Sequence, residues 1–184
     1  MALLRADMEE MWVFGYGSLM WRPGFEYVEV KHARLHGLHR RLCIYSHVHR
    51  GTPERPGLVL GLDQGGSCQG MVFRVEKTLQ TEVLAYLRER EMMNKVYYES
   101  IRRVRCDDGT VVKALCYCAV RDHAQFAPSM GMDATVRQVL GAVGQSGRNE
   151  DYVISTVEKI KAMGARDPSL ERVADALRKA IAAV

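Results

Sequence analysis

Long apolar runs are missing from this sequence. None of its 184 residues falls in a stretch of the roughly 18 uninterrupted apolar positions that a membrane helix needs. The opening "MALLRADMEE" carries acids where a secretory signal has its apolar region. Cysteine is sparse and odd in number, at five: Cys43, Cys68, Cys106, Cys116 and Cys118. That count does not suggest a disulfide framework, so a cytoplasmic chain with reduced thiols is expected. Cys116 and Cys118 share one face of an expected strand. With no His or further Cys nearby in sequence, they read as core thiols and not as metal ligands. Excess charge of one sign is lacking too: 26 Lys and Arg stand against 22 Asp and Glu. The basic residues gather only in "HARLHGLHRR" and "IRRVR", where they alternate with apolar ones like the wet side of a strand. No nucleic-acid partner is expected from that pattern, only a mild preference for anionic small molecules.

What remains is ordinary globular material, 47% hydrophobic and 26% charged. Residues 1–10 read as an N-terminal extension and residues 11–184 as one domain. "MWVF" is a short strand, and strands follow through residues 26–46 with a break near Gly37. Turns rich in Gly and Pro lead to strands near 58–62 and 68–75. Thr78 is placed to cap a helix over "LQTEVLAYLRERE". Strands over about 96–105 and 110–120 are joined by "CDDG", a hairpin turn. The last third predicts helices at about 131–142, 149–163 and 168–182. Closely spaced strands, one central helix and a helical tail imply an α+β domain on a barrel-like or strongly curved sheet.

The stretch "FGYGSLMW" follows the first strand. It is not a Walker A loop, and it lacks the third glycine and distal acid of a dinucleotide fingerprint. It is not GxSxG either. Gly15 and Gly17 permit close backbone approach, and successive N–H groups can converge on one anion. On residues alone, a plain turn and a ligand cradle are equally supported.

The central helix carries a sharper signal. At ~100° per residue, Val83, Leu84, Tyr86 and Leu87 share one arc with Leu79. Glu82 and Glu89 fall outside it, whereas Glu91 lies close to Leu87 and Arg90 lies beside Val83. Two accounts stay open at this point. Glu91 ends a fraying helix with Arg90 as structural partner, or it is a carboxylate in a partly apolar pocket, where desolvation makes it a proton carrier. Turn segments offer helpers: Ser46, His47, His49, Arg50 and Arg55 in one, and Ser146, Arg148, Asn149, Glu150 and Tyr152 in another. His47 and His49 lack a third metal ligand and read as surface histidines. Ser146 or Asn149 also serves as the oxygen that caps the helix at 149.

Together "MWVFGYGSLMW", "HRGTPERPG", "YLREREM" and "SGRNEDY" resemble the ChaC-type, glutathione-specific gamma-glutamylcyclotransferases over residues 11–163. The resemblance implies a gamma-glutamylcyclotransferase-like mixed fold with a β-barrel core and peripheral helices. It also implies cleavage of glutathione into 5-oxoproline and cysteinylglycine without a metal or organic cofactor. Gly15, Tyr16, Gly17, Ser18 and Leu19 would bind the gamma-glutamyl group. The spacing after Tyr86 and Leu87 selects Glu91 as the essential acid and base. Tyr117 matches a strand tyrosine of the family, and Arg50 is placed to contact the substrate's far carboxylate. Two positions depart from the pattern. "MMNKVYY" follows Glu91 without the family's glycines, and Val48 stands where an acid is common. Alternatives are a cyclotransferase for other gamma-glutamyl amines and a non-catalytic gamma-glutamyl-binding module.

Overall fold

Strands with both faces covered lose the apolar–polar alternation, and the first strand shows this at once. In the computed structural model, which describes residues 10–92 and 94–183, all five residues of β1 (Met11–Gly15) are buried. The expected extension, residues 1–10, therefore lies outside the described residues except for Glu10. Four further strands are β2 (Glu29–Ser46), β3 (Gly57–Val75), β4 (Tyr97–Cys106) and β5 (Val111–Ala119). They close a barrel in the order β1-β3-β2-β4-β5. β1 pairs antiparallel with β3, from Met11 against Val75 to Gly15 against Met71. On its other edge it runs parallel to β5, with Val13 against Leu115. Closure leaves no free edge to template aggregation.

The chain forms two compact units interleaved in sequence. The first takes its described residues from 1–40 and 62–120, and the second from 41–61 and 121–184. In the first, helix α1 (Gln80–Met92) follows a 3-10 turn at Lys77–Leu79. It lays Val83 and Leu87 onto a core of Met11, Val13, Leu19, Val75, Leu115 and Tyr117. Glu82 and Glu89 are exposed, as the helical arc requires. The "CDDG" hairpin forms between β4 and β5, with Asp108 Oδ1 accepting from the Thr110 amide at 2.9 Å.

Two local expectations change here. β2 and β3 are continuous where breaks are expected, because Gly37, Gly65 and Gly66 take positive φ inside the strands. Thr78 does not cap α1, since the 3-10 turn precedes it and starts at Glu76 without a side-chain cap. After Glu91 the helix ends at Met92, and Lys95 in the glycine-free stretch takes φ 54.

In the second unit the helices are α2 (Met132–Val139), α3 (Asn149–Ala162) and α4 (Pro168–Ala182). α4 starts with Asp167 Oδ1 accepting from the Leu170 amide at 3.0 Å and a proline in its first turn. Two short strands, β6 (Val143–Gly144) and β7 (Gly147–Arg148), form a small hairpin before α3. Neither Ser146 nor Asn149 caps α3. The residue before it is Arg148, with no side-chain cap, and Asn149 instead bonds both backbone groups of Leu58, at 2.6 and 2.8 Å.

Gly70 is where the barrel tolerates no side chain. A Cβ there would meet the Gly15 carbonyl oxygen and the Phe14 ring, the latter at 2.7 Å. Gly70→Ala should therefore cost about 1–3 kcal/mol through forced overpacking. Urea unfolding at constant m-value measures it.

Candidate active site

Three features of the first unit meet around the turn that leaves β1. The turn itself is a 3-10 segment, Ser18–Met20, in which the Met20 amide donates to Gly17 O at 2.9 Å. Leu19 and Met20 are buried and anchor it, while Ser18 is exposed. The first amides of a helical turn have no carbonyl behind them and remain available to a ligand. The backbone around Tyr16 is held from β2 by Arg40, which is 5% exposed. Arg40 Nε donates to Tyr16 O, and Nη2 donates to Gln69 O at 2.6 Å. From the other side comes Arg90 on α1. Its Nη2 donates to Ser18 Oγ at 2.9 Å, and its Nη1 donates to Arg22 O at 2.9 Å and Pro23 O at 3.1 Å.

Glu91 is the second feature. Its side chain is 18% exposed, and the guanidinium of Arg90 lies 3.2 Å from Oε1. Burial pushes the carboxyl above its ordinary range, and Arg90 opposes that shift without cancelling it. A carboxyl raised in this way moves toward neutral pH, where it can both take and return a proton.

Tyr117 on β5 is the third. It is fully buried, and its hydroxyl donates to Glu99 Oε1 at 3.3 Å. Glu99 sits directly across the β4–β5 ladder from it. Arg88 grips both oxygens of Glu99, at 2.7 and 2.9 Å. Burial is the main cause that keeps the phenol protonated, with Glu99 next and the charge of Glu91 also contributing. Tyr117 therefore stays a neutral phenol whose hydrogen is donated to Glu99.

Thus Gly15, Tyr16, Gly17, Ser18, Leu19, Glu91 and Tyr117 all belong to the first unit, and Arg90 bonds Ser18 while lying against Glu91. Arg50 belongs to the second unit, where Nη1 donates to Arg148 O at 3.3 Å and the guanidinium lies 5.2 Å from the centre of the Tyr152 ring. Nearby, His49 Nδ1 is 3.1 Å from Ser146 Oγ. Arg148 Nε donates to Glu150 Oε1 at 2.7 Å. Glu150 is buried, and its Oε2 finds no partner among the described residues. Among these residues no three of His, Cys, Asp and Glu gather closely enough to hold a metal ion. No helix among them is long and apolar enough to cross a membrane.

Sequence reading missed Arg40 and Glu99. Arg40 lay within a basic cluster assigned to a wet strand face. Glu99 becomes visible only through its cross-strand register with Tyr117.

The family model for ChaC-like proteins matches residues 11–180. The chain belongs to the ChaC-like family. Among its relatives is the glutathione-specific gamma-glutamylcyclotransferase of Escherichia coli, 32% identical over 97% of this chain and 77% of the relative. Human glutathione-specific gamma-glutamylcyclotransferase 1 is 30% identical over 93% and 80% of the two chains. The solved structure of a gamma-glutamyl cyclotransferase specific to glutathione from yeast superposes with TM-score 0.82 at 22% identity. It covers 92% of this chain and 96% of that one, so the gamma-glutamylcyclotransferase fold is shared.

The raised carboxyl has a consequence for the ChaC-like fold's stability. A carboxyl whose pKa is higher folded than unfolded favours folding below its unfolded pKa, and that contribution is lost as pH rises through the folded value. Glu91→Gln abolishes this titration. It should melt above the parent at about pH 8, with the gap closing as the pH falls toward 4.5. Thermal melts across that range measure it.

Proposed function

We propose that this ChaC-like chain cleaves glutathione into 5-oxoproline and cysteinylglycine, with Glu91 as general acid and base. The observation that carries the reading is Arg90, which bonds Ser18 of the glycine turn and lies against Glu91. One guanidinium thus ties a backbone cradle to a proton carrier. The names of the E. coli and human relatives support glutathione as the substrate.

The chemistry then follows from the groups present. The turn holds the gamma-glutamyl group folded, with its α-nitrogen near the γ-carbonyl. Amides of Gly17, Ser18 and Leu19 hold the α-carboxylate or the oxyanion. Glu91 takes a proton from the attacking α-nitrogen. A new C–N bond closes the five-membered ring, and the old amide C–N bond breaks. Glu91 returns a proton to the departing nitrogen, so the proton count closes without water as a reactant. Because attack is intramolecular, most of the acceleration asked of the protein is correct folding of the substrate. Ser18 serves as a binder and not as a nucleophile, since the group bonded to its Oγ is the donor Arg90 and not a base. Arg50 is assigned to the substrate's far carboxylate because its guanidinium is suited to a carboxylate.

Incubation with glutathione should release 5-oxoproline, read by mass spectrometry, with other gamma-glutamyl amines as parallel arms. Glu91→Gln should lower turnover by about 10²–10⁴-fold while remaining folded. Glu89→Gln, on the exposed face, should stay close to the parent. Normal turnover by Glu91→Gln would overturn the assignment, as would an inactive Glu89→Gln.

A further inference from the structure

We infer that Arg90 is a positioning residue of this site: its one planar guanidinium closes residues 18–23 onto α1 and sets the Glu91 carboxylate beside what that loop holds. The inference rests on the proposed roles of Glu91 and the glycine turn. Its basis is the use made of the fork. Nη1 donates to Arg22 O, to Pro23 O and to the Tyr86 hydroxyl at 2.9 Å. Nη2 donates to Ser18 Oγ, and Nε lies 3.2 Å from Glu91 Oε1. Arginine presents its donors in a rigid plane, so these partners fix one another's positions. A lysine ammonium is a single point and cannot span them.

Two details take this beyond a structural clamp. First, Ser18 Oγ accepts from Arg90, which leaves the serine's own hydrogen to be donated elsewhere. The turn thereby gains an oriented O–H donor beside its amides, suited to a carboxylate or a carbonyl. Second, the loop is fitted to Arg90's neighbour. Tyr86 Oη occupies the place a side chain on Gly24 would take, and Gly24 has φ +77, so the strap returns to the helix only with glycine there. The Arg90 guanidinium also lies 6.0 Å from the centre of the Tyr86 ring.

The groups that bear on Glu91 are Arg90 from α1 and Tyr117 from β5. Behind Tyr117 stand Glu99 from β4 and Arg88 from α1. Arg90 is the cation among them that touches the carboxylate directly.

The test compares Arg90→Met, Arg90→Lys and Ser18→Ala with the parent, using 5-oxoproline release from glutathione. The kcat/KM–pH profile reports the free enzyme's essential base. Activity requires Glu91 ionised, and removing an adjacent cation raises its pKa. Arg90→Met should therefore move the acidic limb up by about one pH unit, raise KM and lower kcat about 10-fold or more. Arg90→Lys should leave the limb near the parent's yet keep the KM defect, because charge is restored without the fork. Ser18→Ala should raise KM with the limb unmoved. If Arg90→Met does not fold, the other two variants decide the matter. An unmoved limb in folded Arg90→Met, full recovery of KM in Arg90→Lys, or a parent-like KM in Ser18→Ala would each overturn the inference. Glu91→Gln, measured alongside, separates the outcomes. If it is inactive, only the role of Arg90 falls; if it is active, the functional reading falls first.

Discussion

The turn after β1 is held in shape from outside itself. Its short 3-10 segment closes hydrogen bonds from the Met20, Trp21 and Arg22 amides, and two arginines distant in sequence add to them. Arg40 fixes the Tyr16 carbonyl from the barrel wall, and Arg90 fixes the Ser18 hydroxyl and the carbonyls beyond it. A buried guanidinium is tolerated only when its donors are used. Those of Arg40 go to Tyr16 O, Gln69 O and Met20 Sδ. Barrel, loop and helix are therefore interdependent: the loop completes the burial of Arg40, and Arg40 determines where the loop runs.

The same unit treats two glutamates in opposite ways. Both oxygens of Glu99 are occupied by the fork of Arg88, and one also accepts from Tyr117. Glu91 lies against Arg90 in a poorly solvated place that penalises its charge. Glu99 is a fixed prop for the tyrosine, whereas burial raises the carboxyl of Glu91 above its ordinary range. Chemically identical groups thus acquire distinct surroundings, and the proposed proton carrier is the one whose charge is penalised.

Much of this was legible in the sequence, and the parts that were not share a cause. The 3.6-residue period separated Glu91 from Glu89 because α1 buries a single stripe, headed by Val83 and Leu87. The gamma-glutamylcyclotransferase fold followed from four motifs in order, supported by strand spacing. Arg90 was visible only as a neighbour of Glu91, since its main partner lies 72 residues away in sequence. Arg40 looked solvated because alternation within β2 cannot show that a barrel covers one of its ends. The glycines at 37, 65 and 66 looked like strand breaks because a bulge and a turn use the same residue. β6 and β7 are two residues each, too short to leave a period.

The five cysteines, all buried and none in a disulfide, carry a consequence of their own. Thiol–disulfide exchange requires an accessible thiolate. Burial also pushes the Cys116 and Cys118 thiols up, so that they stay protonated. Glutathione is itself a thiol, and its oxidised form readily caps exposed cysteines. With its cysteines buried, the chain is sheltered from mixed-disulfide formation with both forms of the proposed substrate's redox couple. The proposed activity is in this respect insulated from capping of the protein's own thiols.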